Sequence, residues 1–276
     1  MPTFDPFDAS PDRDPQPALA ELRARRPVLD LGPGVWYVTR HEDVRRVLLD
    51  PDTYSSVGNF VLDEEGQLDE EGGRESRLIV QLDPPRHTAL RRVLLGGFKR
   101  GAIRDAEPWI TARLHELVDG FARRGRADLM RELALPLTSH VIARLVGVPV
   151  TDAATLAGWV REVSSQRPRP VKQLEPWRRL KAYLDALVER RRAAGPGAAG
   201  DAAEDMIARL LGAEVEGRPL GADELPYHVY QLFTAGTETT AYTIGVTVHE
   251  LLKLPGAWER LGHEPGPYES AGEEGL

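Results

Sequence analysis

Two groups of side chains in this chain could do chemistry. The first is Ala235-Gly236-Thr237-Glu238-Thr239-Thr240, an acid, a glycine and three hydroxyls inside an otherwise apolar, periodic stretch. Polar residues and glycine cost helix stability, so a local rule is broken at the expected centre of a core element. Such breaks tend to mark functional sites. Glu238 and Thr239 are neighbours and could act as an acid–alcohol pair, the carboxyl as proton source and the hydroxyl as relay. The missing side chain at Gly236 would let a flat or diatomic ligand approach the backbone. The second group follows Asp83-Pro84-Pro85, where His87 and Arg91 lie four residues apart. On a helix both project from one face, and the planar fork of arginine suits carboxylates. Each pattern has an ordinary alternative. Threonines can bond back to their own helix while the acid sits in solvent, and His87 and Arg91 can be basic residues at a surface helix start.

Helices must hold both groups. Asp83 suits an N-cap and proline suits a first turn, which predicts a helix over 85–97. The acid–alcohol pair falls in a long central helix at about 223–254, where Leu225, Val229, Leu232, Phe233, Gly236, Thr240, Thr243 and Thr247 share a stripe. Further helices are expected at 105–124, 131–146, 152–164, 173–194 and 202–211. Ahead of them lies an extended, Pro- and Asp-rich lead-in at 1–17, then a short helix near 18–26. Pro27-Val28-Leu29-Asp30-Leu31 and Val35-Trp36-Tyr37-Val38-Thr39, joined by Gly32-Pro33-Gly34, read as a β-hairpin, and a helix follows at 41–49. Residues 55–80 read as a long loop of functional length. Gly195-Pro196-Gly197-Ala198-Ala199-Gly200 matches a dinucleotide-loop pattern but follows an Arg-rich helix and contains proline, so it reads as a linker. The expected fold class is mainly α with a small N-terminal β-hairpin, and one domain over 18–276.

Composition narrows the function. A net charge of -8 argues against a nucleic-acid backbone or an anionic membrane as partner. Arg123-Arg124 and Arg190-Arg191-Arg192 read as solvated helix ends. The chain has no cysteine, which removes disulfides, thiolate metal sites and cysteine nucleophiles from its own repertoire. No signal sequence opens it and no apolar run spans a bilayer, so a cytoplasmic location is expected. The histidines form no H-x-x-x-H pair, and His115, His140 and His228 read as satisfied helix histidines.

Read together, the two groups are more specific than either alone. Asp-Pro-Pro-x-His-Thr-x-x-Arg, followed about 150 residues later by Ala-Gly-x-Glu-Thr-Thr, resembles the cytochromes P450, the haem-thiolate monooxygenases. Trp36 to Val44, Tyr54-Ser55-Ser56, Gly147-Val148-Pro149 and Leu251 to Trp258 also look like family landmarks in the same order. The likeness runs from about 18 to 261 and is nearest the soluble bacterial members. It implies the P450 fold and haem b as cofactor. His87 and Arg91 would hold the haem propionates, Ala235 and Gly236 would lie over the distal face, and Glu238 and Thr239 would deliver protons during oxygen activation. The implied reaction inserts one atom of O2 into a small organic substrate, with electrons from a ferredoxin-type donor. The loop at 55–80 and the helices near 152–194 would shape the substrate pocket.

One departure bears on activity. The family's iron ligand is a cysteine in a C-terminal loop, and its thiolate favours O–O cleavage. This sequence has none and resembles only the N-terminal two-thirds of the family, so the expectation is a truncated, inactive form with no metal ligand of its own. Ser270-Ala271-Gly272-Glu273-Glu274 looks like the approach to the family's Glu-x-x-Arg helix. The alternative is a haem-free, P450-like helper protein that binds and activates a partner enzyme.

Overall fold

The structure is a computed structural model. It describes residues 14–32, 34–57, 78–165, 175–195, 205–221 and 223–263. Most of the loop expected at 55–80, the linker after Gly195 and the tail beyond His263 lie outside the described residues. The chain divides into two compact units at Ser56/Val57, where the sequence drew one domain from residue 18.

In the first unit, α1 (Gln16–Arg25) leads into β1 (Val28–Gly32) and β2 (Val35–Val38), and α2 (His41–Leu49) follows. The strands pair antiparallel, with Val28 opposite Val38 and Leu29 opposite Tyr37. Gly32 turns the chain at φ +128°, a value that suits glycine. Thr39 Oγ1 donates to Pro27 O at 3.0 Å and closes the open end of the hairpin. The hairpin and both helices stand where the sequence puts them.

The second unit is helical. A 3-10 turn (Ile79–Gln81) precedes α3 (Arg86–Gly96) and α4 (Arg100–Ala122). A π-helical turn (Met130–Ala134) opens into α5 (Leu135–Val146), and a 3-10 turn (Val150–Asp152) precedes α6 (Ala153–Ser165). Then come α7 (Glu175–Ala194), α8 (Met206–Leu211), the two-residue strands β3 (Glu214–Val215) and β4 (Arg218–Pro219), α9 (Leu225–Lys253) and α10 (Ala257–His263). The core lies among α5, α6, α7, α8 and the first half of α9, where Val146, Leu156, Leu180, Ile207, Val229 and Phe233 are buried.

The elements depart from the sequence expectation in three places. The helix expected at 131–146 splits because Pro136 has no N–H to give its preceding turn, and the chain widens into the π turn just ahead of it. α4 starts at Arg100 rather than 105 and carries Pro108 inside it. The β3–β4 hairpin was not expected. Its strands are too short for a periodic signal, and only Glu216 (φ 54°) and Gly217 (φ 74°) mark its left-handed turn.

A buried ion pair ties the helices together. Asp205 caps α8, accepting from Ala208 N at 2.9 Å, and its Oδ2 pairs with Arg191 Nη2 of α7 at 2.8 Å. The carboxylate rests against Gly147 (φ +98°), the left-handed residue that ends α5, and a Cβ there would stand 2.5 Å from Asp205 Cγ. Arg191 is thus no solvated helix end, since its partner carboxylate is fully buried. Arg124, the other cluster's member, pairs with Glu132.

Candidate active site

The 29 residues of α9 run unbroken through Gly236. Its polar segment is built against α5. Phe233, Thr237 and Ala241 are buried at four-residue spacing, so the inward stripe passes through Thr237 rather than through Gly236 and Thr240, and Thr240 is exposed. Which of two adjacent positions faces inward depends on where the neighbouring helix lies, and periodicity alone does not say. A Cβ at Gly236 would stand 2.7 Å from Ile142 Cδ1. The glycine therefore lets α5 approach, and the space expected to admit a ligand at its Cβ position is occupied by Ile142.

Polar contacts hold the same crossing. Thr237 Oγ1 donates to Phe233 O at 2.7 Å inside its own helix. Thr138 Oγ1 of α5 lies 2.9 Å from Thr237 O on α9. Further along, a Cβ at Gly245 would meet Met130 Sδ at 2.5 Å, so the π turn also packs on a bare position of α9.

The opposite side of α9 is open. Ala235, Thr239, Tyr242 and Val246 are all exposed. Thr239 Oγ1 donates to Ala235 O at 2.5 Å, and Thr243 Oγ1 donates to Thr239 O at 3.0 Å. This is the back-bonding that ordinary helix threonines adopt, and it leaves the Thr239 oxygen's lone pairs free to accept. Glu238 is half-buried and makes no hydrogen bond or ion pair among the described residues. The acid and the alcohol thus lie beside an exposed face of small and apolar side chains.

His87 and Arg91 sit one turn apart on α3, His87 half-buried and Arg91 exposed. Neither side chain has a hydrogen-bond or ion-pair partner among the described residues, so neither touches Glu238 or Thr239. The helix starts differently from expectation. Pro85, which has no capping side chain, occupies the N-cap; Asp83 contributes its carbonyl, which accepts from His87 N at 3.0 Å. Arg86, to which the sequence assigned no role, anchors α3. It pairs with Glu224 at the start of α9 and, at 3.4 Å, with Glu216 on the β3–β4 turn. Gln231 of α9 accepts from Ile79 N at 2.8 Å and fixes the segment leading into α3. Both residues lie inside or beside the motifs, but their partners are distant in sequence.

The histidines divide. His140 is satisfied, accepting from Arg113 Nε at 3.0 Å, and burial lowers its pKa. His228 is only 2% exposed, and neither ring nitrogen has a partner among the described residues. Burial, with a smaller push from Arg86 and against the pull of Glu224, takes its pKa down to about 4. It is a buried neutral histidine, not a satisfied one. Among the described residues no group of three or more His, Cys, Asp or Glu could hold a metal ion, and no helix is long and apolar enough to cross a membrane.

Known proteins place this geometry in a family. Residues 167–265 match the family model described as Cytochrome P450. Over 269 residues the chain is 34% identical to erythromycin C-12 hydroxylase of Saccharopolyspora erythraea, a match covering 94% of this chain and 63% of that protein. It is 31% identical to nocardicin C N-oxygenase of Nocardia uniformis subsp. tsuyamanensis, over 98% of this chain and 67% of the relative. The chain belongs to the cytochrome P450 family. The solved structure of a mutant of P450 EryK in complex with erythromycin B superposes with a TM-score of 0.78 at 32% identity, covering 94% of this chain and 64% of that one. The mainly helical P450 fold with small two-stranded sheets is therefore established for the part present. The chain spans about 63% of the length of the hydroxylase it matches.

The described residues fit one side of a haem and not the other. Two basic side chains on α3 have their donors free for carboxylates, and Ala235 leaves a low surface on α9. The chain has no cysteine and so cannot itself supply the thiolate that the family uses.

Proposed function

We propose that this chain forms the substrate- and oxygen-facing side of a P450 monooxygenase site, with the thiolate supplied by polypeptide outside these 276 residues. What carries the reading is the open face of α9, where Ala235, Thr239 and the unpartnered Glu238 lie together. Haem, when bound, supplies oxygen binding and the redox chemistry. His87 and Arg91 pair with its carboxylates. Ala235 admits a flat group close to the helix, and Gly236 lets α5 hold that stretch from behind. Glu238 presents its carboxyl group beside the site. Thr239 donates to Ala235 O at rest and has lone pairs free to accept; as a relay it would turn that hydroxyl to give its own proton toward the site while accepting one from behind.

The substrate is a small organic molecule, and the electron donor is of ferredoxin type. Erythromycin C-12 hydroxylase and nocardicin C N-oxygenase, by their names, both oxygenate organic molecules, which supports that class. The setting is cytoplasmic. The chain alone is inactive, because no side chain in it can replace the thiolate's electronic push.

The test uses two samples, the chain by itself and the chain joined to a homologous C-terminal third that carries the cysteine loop. Each is reconstituted with haem, reduced and exposed to carbon monoxide. A Soret band near 450 nm, the family's thiolate marker, is expected only in the joined sample. There, Arg91→Ala should lower haem affinity about 10- to 150-fold, the equivalent of a charge-assisted hydrogen bond of roughly 1.5–3 kcal/mol. A joined protein that folds yet binds no haem would favour the haem-free helper reading, which the zero cysteine count also suits.

A further inference from the structure

The crossing of α5 and α9 assigns work to a residue that no motif contains. Thr138 is 5% exposed, and its hydroxyl has three carbonyl oxygens in reach: Ala134 O at 2.9 Å, Leu135 O at 3.3 Å and Thr237 O at 2.9 Å. A hydroxyl has one proton to give. The first two oxygens belong to the π turn and the start of its own helix, whereas Thr237 O belongs to the peptide group that joins Thr237 to Glu238. Ile142, one turn further along α5, fills the missing Cβ of Gly236. The two residues therefore grip consecutive positions of α9 from the same side.

The other face of that grip is the open one. By the helical step of about 100° per residue, Thr239 lies about 200° round the helix from Thr237. Pressure at Thr237 from α5 thus sets the rotation at which Thr239 and Glu238 are presented.

We propose that Thr138 is a positioning residue: its hydroxyl holds the Thr237–Glu238 peptide and thereby fixes the setting of the acid–alcohol pair. The proposal rests on the reading of Glu238 and Thr239 given above, but the contact itself exists without haem and can be tested on this chain alone. In a helix the amide of Ala241 donates to Thr237 O, so loosening that peptide should show in hydrogen exchange around it.

Hydrogen exchange is followed by mass spectrometry on the 276-residue chain, on Thr138→Val, which keeps the shape and loses the hydroxyl, and on Thr138→Ser, which keeps the hydroxyl and loses a methyl. Thr138→Val should speed exchange across 234–244 by about 2- to 10-fold, the range expected for one hydrogen bond, with α6 and α7 unchanged. Thr138→Ser should restore the slow rate. If Thr138→Val exchanges like the parent, if Thr138→Ser is as fast as Thr138→Val, or if the increase spreads equally over α6 and α7, the proposal is overturned. None of these outcomes touches haem binding, so failure here leaves the reading of the site standing, and a failed haem test leaves the clamp standing.

Discussion

The two parts of α9 differ in residues and in surroundings: Leu225–Phe233 has no threonine, whereas Thr234–Lys253 has six. From Leu225 to Phe233 no position is exposed, and the helix is surrounded on every side. From Thr234 to Lys253 one side packs on α5 and the π turn while the other is open, with Tyr242 at 61% and Val246 at 52%. The buried half carries Tyr230, which meets Trp177 edge-on at 4.7 Å, and supports the fold. The open half carries Ala235, Glu238 and Thr239. One continuous helix thus transmits the rigidity of the core to a face that the described residues leave uncovered, and the proposed acid–alcohol pair lies just past the boundary.

The sharpest way to break this contrast is to truncate one apolar side chain from each half. Phe233→Ala should lower the unfolding free energy by about 3–5 kcal/mol, the usual range for emptying a buried aromatic site. Val246→Ala should stay within about 0.5 kcal/mol. Urea titrations of both variants decide it, and a comparable loss in Val246→Ala would mean the open face is covered after all.

Acid should act on the buried half through His228. Its folded pKa of about 4 lies below the ordinary histidine value of about 6.5. Between those values the unfolded chain binds a proton that the folded chain refuses, so stability falls as pH drops through that window. It is fully present above pH 6.5 and levels off below about 4, with a total change of about 3 kcal/mol at 1.36 kcal/mol per pKa unit. Carboxylates titrate in the lower part of the same range, so the measured quantity is the difference between the parent chain and His228→Leu at each pH. A parent curve parallel to that of His228→Leu from pH 7 to 4 would remove the histidine's role.

The smallest effect is expected at the boundary. Gly236→Ala puts a methyl against Ile142 and should destabilise by about 1–3 kcal/mol. Ile142→Ala in the same chain should recover part of that loss by making room. Equal losses with and without Ile142→Ala would show that the two positions do not share one space.

Much of this was legible in the sequence because it is local. The 3.6-residue period located α5, α6, α7 and α9, and Gly32 and Gly34 signalled the hairpin. The placement of Glu238 beside Thr239 on α9, and of His87 one turn from Arg91 on α3, was legible because helix spacing fixes each pair on its own element. What failed needed a second element. The facing of Gly236 depends on Ile142, the state of His228 on burial by other helices, and the burial of Arg191 on Asp205. The grip of Thr138 joins positions 99 residues apart. A threonine in an apolar helix gives no hint of that distant carbonyl.

The buried pair under Gly147 has a consequence for how this sequence can drift. Asp205 fills the volume that any side chain at position 147 would occupy, and its carboxylate pairs with Arg191. Three positions on three segments therefore hold one another hostage. A change at any one is harmful until the other two have changed, because each intermediate leaves either a clash or a broken ion pair. Substitutions there should be inherited as a set, so that the trio behaves in descent as a single character spread over 59 residues of chain.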